Sequence, residues 1–253
     1  MTQSGAVSKL FNPTGVYLHN MGPLCHHGRV NAPRIFRPLG TALALTWLLQ
    51  SAVVTPPSAS AEPCPDVQVL FARGTDEAPG VGETGQAFVN SLRSRVPERS
   101  VDLYAVDYPA TNDWPTGVQG IRDAADHIEA TAATCPATKM VLGGFSQGAA
   151  VMGFATADVI PDGVDGADVP RPMPPEVADH VAAVVLFGTP NVRAMNFLGQ
   201  PAVVIGPAYA GKTIQLCATE DPICSEGLNF SAHYPGAYDG IVDEGAAYAA
   251  NRL

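Results

Sequence analysis

Residues 139–152 decide the fold, and they read KMVLGGFSQGAAVM. The stretch begins as a short apolar run, which predicts a strand buried on both faces of a sheet. It continues through Gly144-Phe145-Ser146-Gln147-Gly148 into an apolar helix. A Gly-x-Ser-x-Gly pattern between a strand and a helix is typical of a sharp turn that exposes the serine hydroxyl. The stretch therefore predicts an α/β protein in which Ser146 is a nucleophile, rather than a cap in a glycine-rich turn.

Four more apolar runs of strand length lie before and after this unit. The predicted strands are 67–72, 101–108, 139–145, 181–188 and 213–217. Helices are predicted between or after them at 82–95, 116–133, 147–159 and 241–251. Because strand and helix alternate, we expect one domain at 62–253 with a doubly wound, mainly parallel five-stranded sheet, helices on both faces and no lid.

The loops that follow the five strands should surround Ser146, because ligands of such sheets bind at the carboxyl ends of the strands. Two of these loops, 109–115 and 191–209, are expected to contact an acyl chain in a shallow open groove. The side chains expected there are Trp114, Met195, Phe197, Leu198, Val203, Val204 and Ile205. Ordinary packing of an ordered loop is the alternative. The segment 161–175 is rich in proline and aspartate and follows the helix after Ser146. We expect it at the opposite edge of the sheet, as a surface excursion away from Ser146.

A serine hydroxyl is a weak nucleophile and needs a base, normally a histidine held by a carboxylate. The chain has six histidines, of which position excludes His19, His26, His27, His127 and His180. The first three lie before the domain, the fourth lies inside a predicted helix before Ser146, and the fifth lies at the amino end of a strand. His233, in a loop beyond the last strand, is therefore the predicted base.

The acid is expected between Ser146 and His233 and past the carboxyl end of a strand. Glu220, Asp221 and Glu226 meet both conditions. Asp221 is preferred because it precedes a proline in a short loop between two cysteines, which restricts its backbone. Glu220 is the alternative.

Two hydrogen-bond donors are needed for the oxyanion of a tetrahedral intermediate. One is expected from the backbone N–H of Gln147, the residue after the nucleophile. The other is expected from Thr75 in the loop after the first strand, through its N–H and its hydroxyl. An ordinary turn at Thr75 is the alternative.

The first 61 residues differ in composition from the rest. Residues 39–54 are nearly all apolar, follow three arginines, and precede Ala59-Ser60-Ala61. This order is typical of a secretory signal peptide with a small-residue cleavage site. A membrane anchor is the alternative, but about 16 apolar positions fall short of the ~20 that cross a bilayer. We predict a leader at 1–61, starting from Met1 or Met21, and a secreted protein that is free or associated with the cell wall.

The cysteines agree with export. One of the five lies in the leader, and the even number that remains implies two disulfides with three possible connectivities. The short interval from Cys217 to Cys224 favours a local bond there, which leaves Cys64 to pair with Cys135. A zinc site is the alternative, but no C-x-x-C pattern and no histidine at ligand spacing supports it.

Charge is unevenly distributed. The formal net charge is -10, and the four basic residues before position 62 are accompanied by no acidic residue. Residues 62–253 therefore hold 10 basic and 24 acidic residues. A body this acidic repels phosphate backbones, so we expect no nucleic-acid partner and no polybasic attachment to membranes. After cleavage we expect a monomer without stable membrane insertion.

Together these segments resemble the cutinase family of small secreted α/β-hydrolases, over nearly all of residues 64–253. The resemblance is carried by Phe71-Ala72-Arg73-Gly74-Thr75, Gly144 to Gly148, Cys217 to Cys224, and His233. It implies ester hydrolysis with no metal or organic cofactor. It also implies roles for a set of residues: a triad of Ser146, Asp221 and His233, oxyanion donors at Thr75 and Gln147, and disulfides Cys64–Cys135 and Cys217–Cys224.

The function expected from these features is a secreted serine esterase acting on an ester or lipid substrate with a short to medium acyl chain. Two alternatives remain: an acyltransferase that uses the same residues, and a catalytically silent surface or binding protein. Cutin, triacylglycerol, phospholipid and acetylated sugar are all open as substrates.

Overall fold

The computed structural model describes residues 63–253, so the predicted leader lies outside the described residues. Five parallel strands form one sheet in the order β2-β1-β3-β4-β5. The strands are β1 (Val67–Ala72), β2 (Val101–Ala105), β3 (Lys139–Phe145), β4 (Val181–Phe187) and β5 (Thr213–Leu216). This confirms the predicted doubly wound sheet.

Helices cover both faces of the sheet. They are α1 (Gly82–Arg95), α2 (Gly117–Thr134), α3 (Gln147–Ala155), α4 (Val192–Phe197), α5 (Pro207–Ala210) and α6 (Asp239–Ala250). Helices α1 and α6 pack together on one face, while α2 and α3 pack together on the other. Within residues 63–253, no helix is long and apolar enough to cross a bilayer.

The core forms two layers because successive side chains of a strand point to opposite faces. Leu70 and Leu142 join the layer under α2 and α3. Phe71 and Phe187 join the layer under α1 and α6, where their rings lie 6.4 Å apart. All six residues of β1 are buried, which is why this strand is continuously apolar apart from Gln68.

Two predicted elements end three or more residues earlier than expected. The strand predicted at 101–108 ends at Ala105, although Val106 and Tyr108 are buried. Both side chains pack in the core layer under α2 and α3. Tyr108 is also held by hydrogen bonds: its hydroxyl donates to the carbonyl of Arg73, and the Arg73 guanidinium donates to the carbonyl of Tyr108 at 2.6 Å. The helix predicted at 147–159 ends at Ala155, because Thr156 bonds back to the carbonyls of the preceding turn.

Helices α4 and α5 were not predicted. Asn191 caps α4 by accepting a hydrogen bond from the N–H of Ala194 at 2.9 Å, and a proline begins α5. Both are ordinary helix-start signals. The helices are only six and four residues long, so neither shows a helical period in the sequence.

The two disulfides hold opposite ends of the fold. Cys64–Cys135 joins the start of the described chain to the end of α2, and Cys217–Cys224 closes a short loop after β5. These are the pairs favoured by the sequence.

The chain reverses its direction of travel across the sheet between β1 and β3. From β1 it passes to β2 on one side, and then returns to β3 on the other. In open parallel sheets a crevice forms at the carboxyl ends of strands at such a switch point. Ser146 follows β3 at that edge, beside the loop that follows β1.

Candidate active site

Ser146 occupies the tip of the turn between β3 and α3. Its φ of 55° is unusual for a residue other than glycine, and its N–H donates to the carbonyl of Phe187 at 2.9 Å. The flanking glycines are required by close approach, since a methyl group at Gly144 would overlap the carbonyl of Gly148. A methyl group at Gly148 would overlap the carbonyl of Ala72. The turn therefore brings the serine and the end of β1 together.

His233 lies directly beside Ser146. The distance between Ser146 Oγ and His233 Nε2 is 2.7 Å, and the imidazole stacks on the ring of Phe145 with 5.4 Å between centroids. The short 3₁₀ turn Phe230–His233 positions the histidine. The N–H of Asn229 donates to the carbonyl of Glu220 at 3.0 Å, which ties this turn to the disulfide loop.

Asp221 holds the far side of the imidazole. Its Oδ2 lies 2.6 Å from His233 Nδ1, and its side chain is fully buried. Its other oxygen accepts from the N–H of Ile223 at 2.8 Å. Glu220 is exposed, and Glu226 forms an exposed ion pair with Arg193 at 3.4 Å. Of the three candidate acids, only Asp221 contacts the histidine.

These contacts assign the protons. Asp221 is an acceptor when ionised, so His233 Nδ1 carries the hydrogen in that bond. The neutral imidazole then has Nε2 free as an acceptor, and the Ser146 hydroxyl donates to it. The geometry thus allows the proton of Ser146 to pass to His233 while Asp221 stabilises the resulting charge.

Tyr238 is a site residue that sequence reasoning missed. Its hydroxyl donates to Asp221 Oδ2 at 2.5 Å, and the side chain is completely buried against Phe145 and Phe187. Burial, and then the hydrogen bond to Asp221, raise the pKa of Tyr238 far above its ordinary value. The phenol therefore remains a donor at any pH at which the protein is assayed. No pattern in the sequence singles out this tyrosine.

Gln147 begins α3 and is almost completely buried. Its side-chain Nε2 donates to the carbonyl of Thr111 at 2.9 Å, but its Oε1 has no partner among the described residues. Its backbone N–H is one of the first N–H groups of a helix, which have no acceptor within the helix. This N–H therefore remains available beside Ser146.

Thr75 lies in the loop after β1 and is partly exposed. The loop is held by Arg73, whose Nε donates to the carbonyl of Glu77 at 2.9 Å, and by Glu77, which accepts from the N–H of Gly74 at 2.5 Å. The close approach at Gly148 places this loop against the start of α3. The role of Thr75 as an oxyanion donor stays a prediction.

A cavity of about 270 Å³ extends from Gln147 between α2 and α3. Its outer wall is formed by residues 157–172, which we call the cover segment. Residues between 161 and 172, in the segment predicted to be a surface excursion, therefore line a cavity that also contains Gln147. Trp114 and Met195 line the cavity as expected. The other predicted acyl contacts do not, and Phe197 is 91% exposed; they are Phe197, Leu198, Val203, Val204 and Ile205.

One cluster of possible metal ligands occurs within residues 63–253: Cys217, Asp221 and Cys224. The two sulfur atoms are bonded to each other, so they are not thiolates that could bind zinc. The Asp221 oxygens are already engaged by three hydrogen-bond donors. The cluster is therefore a consequence of the disulfide loop around Asp221.

Comparison with known proteins agrees with this architecture. A sequence model described as Cutinase matches residues 63–253. The chain belongs to the cutinase family. It is 60% identical over 172 residues to a probable carboxylesterase, Culp5, of Mycobacterium tuberculosis, covering 68% of this chain and 98% of that protein. It is 45% identical over 222 residues to carboxylesterase Culp1 of the same species, covering 87% and 96%.

Among solved structures, this cutinase-family chain is similar to a Trichoderma reesei cutinase in complex with a C11Y4 phosphonate inhibitor. The identity is 33%, the TM-score is 0.56, and the match covers 75% of this chain and 77% of that one. The family match and the carboxylesterase relatives make this cutinase-family protein a carboxylic ester hydrolase.

Proposed function

We propose that this protein is a secreted serine esterase that works through an acyl-enzyme on Ser146. One observation carries the proposal: Ser146 Oγ, His233 and Asp221 Oδ2 form a continuous chain of hydrogen bonds, 2.7 Å and 2.6 Å long, at the edge of the sheet. A buried carboxylate, an imidazole and a hydroxyl in this order form the arrangement that activates a serine for acyl transfer.

In the first half of the reaction, Ser146 Oγ attacks the ester carbonyl carbon and its proton moves to His233 Nε2. The carbonyl oxygen gains negative charge, which is stabilised by the N–H of Gln147 and by Thr75. The C–O bond to the alcohol then breaks, and His233 returns its proton to the departing alkoxide. The alcohol leaves, and the acyl group remains on Ser146.

In the second half, a water molecule loses a proton to His233 and attacks the acyl-enzyme. The tetrahedral intermediate collapses with release of the carboxylic acid, and Ser146 Oγ recovers the proton. Throughout the cycle Asp221 holds the imidazole in one tautomer and stabilises its protonated form. No step needs a metal ion or an organic cofactor.

Secretion is supported by the predicted leader and by the two disulfides, since such bonds persist in oxidising compartments. The N-terminal sequence of the protein recovered from the medium of an expressing host tests this. We expect it to begin at Glu62, and an intact leader on cell-bound protein would contradict secretion.

The esterase proposal is tested by labelling with a short alkyl fluorophosphonate and by hydrolysis of p-nitrophenyl butyrate. Wild type should be labelled and active, while Ser146→Ala should be folded, unlabelled and inactive. Absence of labelling in wild type would support a silent binding protein. Formation of a new ester, rather than free butyrate, when an alcohol is added would identify an acyltransferase.

A further inference from the structure

The cavity that extends from Gln147 follows one face of α3 along its whole length. Its inner wall contains Gln147, Ala150, Val151, Phe154 and Ala155. This spacing of three, one, three and one residues is that of a single helix face. From the first to the last, the wall is roughly 12 Å long at 1.5 Å per residue. One end of the cavity therefore lies at the residue next to the nucleophile, and the other lies beyond reach of the reacting atoms.

A second wall comes from α2. Val118, Ile121 and Ala125 repeat at spacings of three and four and face the same cavity. Trp114, just before α2, and Met195 in α4 complete the part nearest Gln147. The side chains that line these walls are apolar apart from Gln147.

The cover segment closes the cavity from outside through Val159, Ile160, Val164 and Val169. Within the described chain, the hydrogen bonds of its residues 158–172 are local turns, such as the N–H of Val164 to the carbonyl of Pro161. Asp162 and Asp165 are exposed and do not line the cavity, whereas Asp168 and Arg171 do. The segment therefore contributes mainly apolar side chains, together with these two charged ones, to the cavity.

Gln147 is the polar side chain at the Ser146 end of the cavity. Gln147 Oε1 has almost no accessible surface, and its Nε2 donates to the carbonyl of Thr111, so this side chain is a fixed part of the wall. The other polar side chains of the lining are Gln200, Asp168 and Arg171. The remaining lining is apolar, so the interior of the cavity matches a hydrocarbon chain.

The size of the cavity sets the length of that chain. An apolar cavity of ~150 Å³ holds a six-carbon ring, so a cavity of about 270 Å³ suits roughly eight to twelve carbons. An acetyl group would leave nearly all of it empty. A single hydrocarbon chain fills it, whereas a sugar would bury hydroxyl groups without partners.

We propose that this cavity binds the acyl chain of the substrate, and that the enzyme therefore acts on fatty acyl esters of about eight to twelve carbons. The proposal rests on the proposed function, because it requires the carbonyl carbon to lie at Ser146. It places the chain between α2, α3 and the cover segment, rather than along the exposed Phe197.

Binding can be measured without turnover. Trp114 is the one tryptophan of residues 62–253, since the other is Trp47, and it lines the cavity. In the leaderless Ser146→Ala protein, we expect monodecanoylglycerol to change the tryptophan fluorescence saturably and monoacetylglycerol to leave it unchanged. An equal response to both compounds, or no response to either, would contradict the proposal.

Specificity is tested with p-nitrophenyl esters from two to sixteen carbons and with two variants that fill the cavity, Val118→Phe and Val164→Phe. Val204→Phe is the matched control, because Val204 is 55% exposed and does not line the cavity. In wild type each buried methylene should raise kcat/KM by up to about fourfold, with a maximum between eight and twelve carbons.

Val118→Phe and Val164→Phe should lower kcat/KM for the ten-carbon ester by at least about tenfold, because two or more methylenes no longer fit in the cavity. For the acetyl ester, kcat/KM should change less than about threefold, because this group does not reach the filled part. Val204→Phe should change neither. Equal losses at both chain lengths in folded variants would overturn the proposal. Fluorophosphonate labelling distinguishes failure of the cavity assignment from failure of the esterase proposal. If wild type is labelled but shows no chain-length preference, only the cavity assignment fails. If wild type is not labelled, the esterase proposal fails.

Discussion

Tyr238 donates its phenolic hydrogen to the same oxygen of Asp221 that binds His233 Nδ1. The buried carboxylate therefore has three donors, with the N–H of Ile223 on its other oxygen. Without the tyrosine, the carboxylate could rotate or shift toward the disulfide loop, and the imidazole would lose its fixed position. Tyr238 acts on the reaction through Asp221, so it is a positioning residue.

Replacement of this tyrosine by phenylalanine tests the relationship. A hydrogen bond to a charged group contributes about 1.5–3 kcal/mol, so we expect Tyr238→Phe to lower kcat about tenfold or more while KM changes little. The melting temperature should also fall, because Asp221 remains fully buried with one donor fewer. Tyr234→Phe is the control, since Tyr234 is 69% exposed. Unchanged kcat in Tyr238→Phe would show that Ile223 and His233 alone fix the carboxylate.

The choice between neighbouring acids can be tested directly. Asp221→Asn keeps the shape of the side chain but favours the wrong tautomer of His233, and should lower kcat by about 10,000-fold. Glu220→Gln should leave kcat within about twofold, as expected for an exposed carboxylate that does not contact the imidazole. Both variants are measured with the same p-nitrophenyl ester. Comparable losses of kcat would show that the conformation of the loop, rather than the Asp221 carboxylate, determines the rate.

The two disulfides should have different effects when removed. Loop entropy predicts about 4 kcal/mol of stabilisation from Cys64–Cys135, which spans 71 residues, and about 2 kcal/mol from Cys217–Cys224, which spans 7. The double alanine variant of the first pair should therefore unfold at lower denaturant concentration but keep its kcat near 25 °C. The double alanine variant of the second pair should show a large loss of kcat and only a small loss of stability, because that loop holds Asp221. The reverse pattern would contradict a positioning role for the smaller loop.

Acid should destabilise the protein through His127. Burial lowers the pKa of this histidine, an effect that Asp123 and Asp102 oppose, while its ring stacks on Tyr104 and contacts Gln68 at 3.1 Å. The unfolded chain then binds a proton more readily than the folded one, so stability present above about pH 6.5 is lost as the pH falls toward the lower folded-state value. Melting temperatures at pH 7.5 and 5.5 should differ more for wild type than for His127→Gln. An equal difference would mean that His127 does not contribute.

The sheet and the serine turn could be predicted because their signals are local. The limits of β1, β3 and α1 agree with the predicted ones, since continuous apolar runs and helical spacing coincide there with the element ends. Excluding the other histidines by position left His233, and the same kind of argument favoured Asp221 as the acid. The structure places Asp221 Oδ2 2.6 Å from His233 Nδ1. Tyr238 could not be found in this way, because a buried tyrosine in the last helical region has the same sequence pattern as an ordinary core residue.

The cavity was missed for a related reason. The apolar spacing of Val118, Ile121 and Ala125 predicts a helix face but not whether protein or a ligand covers it. The part of the cover segment in the cavity wall was missed because element order gives its starting point and not its course. Its place in that wall depends on contacts between residues far apart in the sequence.

The small loop from Cys217 to Cys224 also links catalysis to the place where the protein is made. Such bonds are rare in the reducing cytosol, where newly synthesised chains still hold free thiols. In a chain in that state Asp221 has the donors Tyr238 and Ile223 but lacks the covalent bond that closes its loop. For the secreted esterase proposed above, we therefore expect little ester hydrolysis before this bond forms and full hydrolysis only after oxidation.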